Sequence, residues 1–242
     1  CAENGLKGVM LPTMWGEHAA YHDVKYDPFW EACQDLGIVI HFHSGPAPHS
    51  EYFGADFPNE DRSDELPGAM GAYVSEVMFW LYRPLTFMLW GGVFERFPRL
   101  KAMVVEGGTM FMVPSWLMLL DHNYTDVQFS AKLGDFRSHL SMAPSEYFAR
   151  NCGIGASCVP RRDLDMKDQI GLKQIMWGSD FPHPEGTWPN TAQYYVDTFK
   201  GFDAKAGRQI LGKNAIQFYG LDADYLNSLA ADIGPSTSIF NG

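Results

Sequence analysis

The run Trp177-Gly-Ser-Asp-Phe-Pro-His183 sets a carboxylate and an imidazole close together just after an apolar segment stops. Lys173-Gln-Ile-Met-Trp-Gly178 has the length and character of a short buried strand, so Ser179 and Asp180 fall at its C-terminal end. Pro182 and Pro184 then forbid regular structure, which confines Asp180 and His183 to one rigid loop. In barrels and open sheets of parallel strands, chemistry is done at that end of the strands. A carboxylate and an imidazole there can ligate a metal or move a proton.

Two further strand ends carry ionisable groups. In Asp35-Leu-Gly-Ile-Val-Ile-His-Phe-His-Ser-Gly45 a glycine stops a helix and a strand begins. Alternation places Val39, His41 and His43 on one face and Ile38, Ile40 and Phe42 on the other. A lone strand histidine is ordinarily a hydrogen-bonded core residue; a pair on one face points to metal binding or catalysis. Leu100-Lys-Ala-Met-Val-Val-Glu-Gly-Gly108 is again an apolar run ending in a charge, Glu106. That carboxylate is either the partner of a structural arginine or a ligand or general base. Its recurrence with the other two strand ends favours the functional role.

The elements that position these groups alternate along the chain. A strand over residues 5–12 precedes a helix over 27–37, with Asp27 as N-cap and Pro28 in its first turn. The histidine strand leads into a polar stretch from Pro46 to Pro67, long enough to serve as a lid or substrate loop. Helical pattern covers 69–97 and 114–123, a fourth strand 151–156, and helices 160–171, 191–200 and 204–219. Five strands each followed by a helix indicate an α/β class with a parallel sheet. Residues 1–222 form the domain and 223–242 a surface tail of weak periodicity. Five strands do not close a barrel of eight. The edge at Leu6 to Leu11 would then be exposed, and roughly 100 or more residues are expected before Cys1.

Composition narrows the function. The 242 residues are 46% hydrophobic, 14% aromatic and only 19% charged, which indicates a large buried core. A net charge of -11 argues against nucleic acid and anionic membrane surfaces as partners. The most apolar stretch, Val77 to Trp90, is interrupted by Arg83 and Pro84, so it reads as a buried or interface helix. Cys1, Cys33, Cys152 and Cys158 show no paired spacing and read as free thiols in a reducing, cytoplasmic compartment.

Four segments together resemble the amidohydrolase-related family, in the branch that contains aminocarboxymuconate semialdehyde decarboxylase. They are Gly92-Val-Phe-Glu-Arg-Phe-Pro-Arg-Leu-Lys101, Glu106-Gly-Gly108, Trp177-Gly-Ser-Asp-Phe-Pro-His183 and Gly212-Lys-Asn-Ala-Ile-Gln-Phe-Tyr-Gly-Leu221. The resemblance implies a (β/α)8 TIM barrel, of which this chain holds about the last five units, around one divalent metal, usually zinc and sometimes manganese. It makes His43 the fifth-strand ligand, with His41 as the fallback, and Asp180 the eighth-strand ligand. The first-strand ligand pair has no counterpart here. Glu106 also stands where the decarboxylases carry a histidine. A carboxylate cannot donate a proton at neutral pH unless its pKa is raised, which moves weight toward hydrolysis.

The expected protein is therefore a metal-dependent hydrolase that activates water against a small organic substrate, ring-containing or carboxylated. Asp180 ligates the metal and takes a proton, and Glu106 is a second base or positions substrate. His183, His18 and His22 line the pocket or are ordinary exposed loop residues. Arg161 and Arg162 bind a substrate carboxylate or are surface charges at a helix start. A metal-dependent decarboxylase or carbon–carbon lyase is the alternative, and an inactive barrel acting as a binding subunit is the second. A homo-oligomer is compatible with all three.

Overall fold

The computed structural model describes residues 1–45, 68–106, 111–126 and 132–241. The expected lid stretch from Pro46 to Pro67 and the glycines Gly107 and Gly108 lie outside the described residues. The chain divides into two compact units, Cys1–Val104 with Leu120–Asn151, and Val105–Leu119 with Cys152–Gly242.

The first unit holds three parallel strands, β1 (Gly8–Leu11), β2 (Val39–Phe42) and β3 (Ala102–Val104), in that order. Val9 aligns with Ile40, and Ile40 with Ala102. Ile40 and Phe42 are fully buried on one face, where the rings of Tyr21 and Trp30 pack as the alternation requires. The other face carries His41, whose ring lies over Gly8: a Cβ there would come within 2.0 Å of His41 Cε1.

Two helix assignments change. Asp27 is the first residue of the helix Asp27–Leu36 and not its cap; its carboxylate instead takes both Nε and Nη2 of Arg96, at 2.9 and 2.8 Å. The expected helix over 69–97 is three pieces, Ala69–Trp80, Arg83–Trp90 and Val93–Arg96. Pro84 cannot donate to the preceding turn and so starts a new helix. Gly92, at φ 65°, starts the third. The helix Pro144–Asn151, absent from the sequence reading, ends in Asn151, whose Nδ2 donates to Pro98 O at 3.0 Å and Leu100 O at 2.7 Å, just ahead of β3.

The second unit pairs β4 (Cys152–Ser157) in parallel with β5 (Ile175–Gly178), Ile154 facing Ile175 and Ser157 facing Gly178. The expected closing helix is Ala204–Arg208, a π-helical turn Gln209–Lys213, and Asn214–Tyr219. Asn214 Nδ2 donates to Leu172 O at 2.7 Å and Ile175 O at 2.8 Å, fixing the start of β5. The tail is not irregular. Asp222 accepts from Tyr225 N–H and caps a helix Ala223–Ile233, after which Phe240 buries against Phe199. No helix among the described residues is long and apolar enough to cross a membrane.

Candidate active site

The site belongs to the second unit and begins with three strained backbones. Among the described residues, the non-glycine positions with positive φ are Glu106 (56°), Cys158 (48°) and Asp180 (60°). Each lies one or two residues past a strand, after β3, β4 and β5 respectively. A left-handed conformation costs an L-residue on the order of 1–3 kcal/mol, and such strain persists where the surroundings enforce it. Its recurrence at successive strand ends marks them as places where side-chain aim outweighs backbone comfort.

Three side chains converge there. One donor atom from each of Glu106, Asp180 and His183 lies within 4.8 Å of the others. Asp180 Oδ2 is 3.3 Å from His183 Nδ1, the carboxylate side chain being 20% and the imidazole side chain 52% exposed. The loop is knitted to itself: His183 N–H donates to Asp180 O at 2.8 Å, and Thr187 N–H to Ser179 O at 2.9 Å. Gly186 is required, because a Cβ would meet Ser179 O and Asp180 O at 2.8 Å.

His183 Nδ1 has two kinds of neighbour. The Asp180 carboxylate would accept its proton, while Glu185 N–H approaches the same nitrogen at 3.4 Å and would donate to it when it is bare. Both contacts are long, yet each protonation state has a complementary partner, as suits a group that gives and takes a proton.

The donor set also fits a cation. Donors at about 2.0–2.2 Å from a common ion stand up to roughly 4.4 Å apart, and Asp180 Oδ2 and His183 Nδ1, at 3.3 Å, fall inside that limit. Two carboxylate oxygens and one imidazole nitrogen suit zinc or manganese better than a soft metal.

Cys158, read from the sequence only as a free thiol, lies beside these carboxylates. Its thiol contacts Glu185 O at 3.7 Å, and burial, then the charges of Asp180, Glu106 and Glu185, push its pKa up. Only its position one residue after a strand signalled it.

The other expected residues are placed as follows. His41 and His43 belong to the first unit. Burial lowers the His41 pKa, while backbone hydrogen bonds to Val9 and Val39 oppose that shift. His43, just past β2, hydrogen-bonds the Ser44 carbonyl. His18 is exposed, its N–H donating to Trp15 O at 2.8 Å. His22 lines a cavity of about 550 Å³ within the first unit, with Phe87, Trp90, Phe136 and His139. Arg161 holds Asp165 at 3.2 Å and Lys200 O at 2.8 Å and stacks over Phe202, the bonding pattern of a helix-start structural arginine. Arg162 is exposed beside the buried Asp163.

An amidohydrolase family model matches residues 1–221, nearly the whole chain. The chain belongs to the amidohydrolase family. A curated relative, the 2-amino-3-carboxymuconate-6-semialdehyde decarboxylase of Dictyostelium discoideum, is 24% identical over 226 residues, covering 91% of this chain and 55% of the relative. The 5-carboxyvanillate decarboxylase of Sphingomonas paucimobilis superposes with a TM-score of 0.66 at 21% identity, over 90% of this chain and 59% of that one. A dihydroxybenzoic acid decarboxylase from Polaromonas sp. JS666, solved with bound manganese and the inhibitor 2-nitroresorcinol, superposes at 0.63 with 20% identity, over 93% and 64%. The parallel α/β fold expected of an amidohydrolase barrel is therefore met. The amidohydrolase chain spans 55–64% of the length of these relatives.

Proposed function

We propose that this chain supplies catalytic groups of a metal-dependent decarboxylase acting on a small, ring-bearing carboxylic acid. The observation that carries the reading is the convergence of His183 with Asp180 and Glu106. A carboxylate at Glu106 is suited to take a proton and not to give one to carbon, which by itself favours hydrolysis. An imidazole 3.3 Å from Asp180 answers that objection, because a ring N–H can be given up to carbon and the carboxylate beside it would stabilise the charged ring. The names of the relatives point the same way.

Asp180 and Glu106 would hold a divalent ion, manganese or zinc. Once bound, the ion supplies Lewis acidity and offsets two negative charges that would otherwise repel an anionic substrate. The chain's residues do the rest. The bond between the ring carbon and the carboxylate breaks, its electron pair stays on carbon, and CO₂ leaves. The His183 N–H delivers the proton that completes the new C–H bond, and Asp180 stabilises the imidazolium beforehand. Gly186 and Thr187 keep the loop rigid enough for that aim.

A second reading, hydrolysis, is favoured by Glu106 itself: a carboxylate at that strand end is well suited to take a proton from water. The two separate by product. The intact polypeptide, loaded with manganese or zinc, is incubated in D₂O with hydroxybenzoates and with the matching benzamides. Release of CO₂ with deuterium at the vacated carbon supports decarboxylation. Cleavage of the amides without CO₂ supports hydrolysis, and neither from metal-loaded protein sinks both.

A further inference from the structure

The loop that presents Asp180 and His183 also presents two large aromatic side chains to solvent. Phe181 is 64% and Trp188 67% exposed. Their ring centroids are 5.9 Å apart with planes at 73°, an edge-to-face pair. Phe181 is the residue after Asp180. Trp188 is the residue after Thr187, whose N–H and Oγ both reach Ser179 O, at 2.9 and 3.4 Å. Thr187 is itself buried, at 6% exposure, and its hydroxyl meets Thr191 Oγ1 at 3.0 Å at the start of the next helix. The rings are thus brought together by a closed, buried anchor. Leaving both so exposed forgoes the burial that ordinarily dominates aromatic energetics.

Charge adds a second reason to look here. The chain carries a net charge of -11 and the site two carboxylates, so long-range attraction cannot draw in an anionic ligand. Recognition has to come from shape and from ring surface.

We infer that Phe181 and Trp188 form the ring-binding wall of this site, taking a planar aromatic carboxylate against their exposed faces. The inference rests on the reading of Glu106, Asp180 and His183 as a metal-binding reaction centre, and it names the residues that select the substrate's ring. Both rings act as specificity determinants and not as catalytic residues.

The test uses the intact, metal-loaded polypeptide and two probes of equal charge, benzoate and cyclohexanecarboxylate, titrated calorimetrically. Ring–ring contacts contribute enough to shift affinity roughly two- to tenfold, so benzoate should bind that much tighter. W188A and F181L should each weaken benzoate more than the cyclohexane analogue, narrowing the gap between the two probes, and leave the metal content and the Tm unchanged. Equal binding of the two probes by wild-type protein that holds stoichiometric metal overturns the wall and leaves the metal centre standing. A Trp188 substitution that alters oligomeric state on a sizing column without touching benzoate affinity also overturns it, assigning the rings to a protein contact. Wild-type protein that holds no metal overturns the parent reading and the wall with it.

Discussion

Asp180 Oδ2 stands 3.3 Å from His183 Nδ1, three residues along a loop whose backbone is closed by the bond from His183 N–H to Asp180 O at 2.8 Å. One residue supplies a carboxylate and the other an imidazole, and the short loop holds the two in register.

The first prediction separates their roles. His183→Gln keeps a hydrogen-bonding side chain but removes the transferable proton, so kcat should fall by about 10²- to 10⁴-fold with metal content retained. Asp180→Asn should instead lower the metal content itself. Metal analysis beside kinetics decides it: loss of metal from the His183 variant would make that residue a ligand. His43→Ala tests the remaining ligand expectation by the same analysis.

The second prediction concerns strain. Glu106 sits at φ 56°, where glycine is at ease and glutamate is not. Glu106→Gly should therefore leave the Tm unchanged or slightly raised, since relief of about 1 kcal/mol of strain offsets the added freedom of the unfolded chain. Activity should still be lost. Were Glu106 merely the partner of a buried arginine, removing it would cost about 3–5 kcal/mol and depress the Tm by many degrees.

Much of this arrangement was legible in the residues. Apolar runs ending in Glu106 and Asp180 announced strand ends, because a charge closes a buried strand for the same physical reason in any parallel sheet. What the sequence could not show was conformational. Nothing in the letters of Glu106 or Cys158 marks a left-handed backbone, and for Asp180 the sign is only the modest enrichment of aspartate in that region. His183 stands open between pocket and surface in the sequence, which shows neither of the two neighbours of its nitrogen in the loop, Asp180 Oδ2 and Glu185 N–H. The tail was misread although Ala223–Ile233 is amphipathic, because none of its residues is buried and the Asp222 cap that starts it is a single residue. Arg161 stands open in the sequence between a substrate-carboxylate role and a helix-start charge, because its carbonyl partner at Lys200 lies 39 residues away.

A third prediction follows from two asparagines used alike. Asn151 bonds Pro98 O and Leu100 O ahead of β3, and Asn214 bonds Leu172 O and Ile175 O at the start of β5. Both side chains are almost wholly buried, at 1% and 2% exposure. Replacing either with alanine strands two carbonyls away from water, at about 1–3 kcal/mol for each group left unsatisfied. Denaturant melts should thus show losses of roughly 2–6 kcal/mol. Asn214→Ala should further reduce metal affinity, because β5 leads directly to Asp180, while a metal-binding curve identical to wild type would limit Asn214 to stability.

The last prediction is a pH dependence located in the first unit. Glu95 accepts from the Tyr147 hydroxyl and from Ser141 Oγ, the latter at 2.9 Å. The Tyr147 hydrogen bond first, then those from Ser141 and the charge of Arg150, hold its carboxyl below the ordinary glutamate range despite some desolvation. The folded state therefore keeps this carboxylate ionised at pH values where the unfolded chain has taken up a proton. Stability from Glu95 is complete above the unfolded pKa of about 4.3 and is lost as pH falls through the lower folded value. Glu95→Gln removes that proton linkage, so its melting temperature should decline less steeply than wild type below about pH 4.3. Above pH 6 the variant should be the less stable of the two, because the charge-assisted bonds to Tyr147 and Ser141 are gone. Thermal melts of both proteins from pH 3 to 7 test this, and parallel curves throughout would show that Glu95 titrates alike in the folded and unfolded chain.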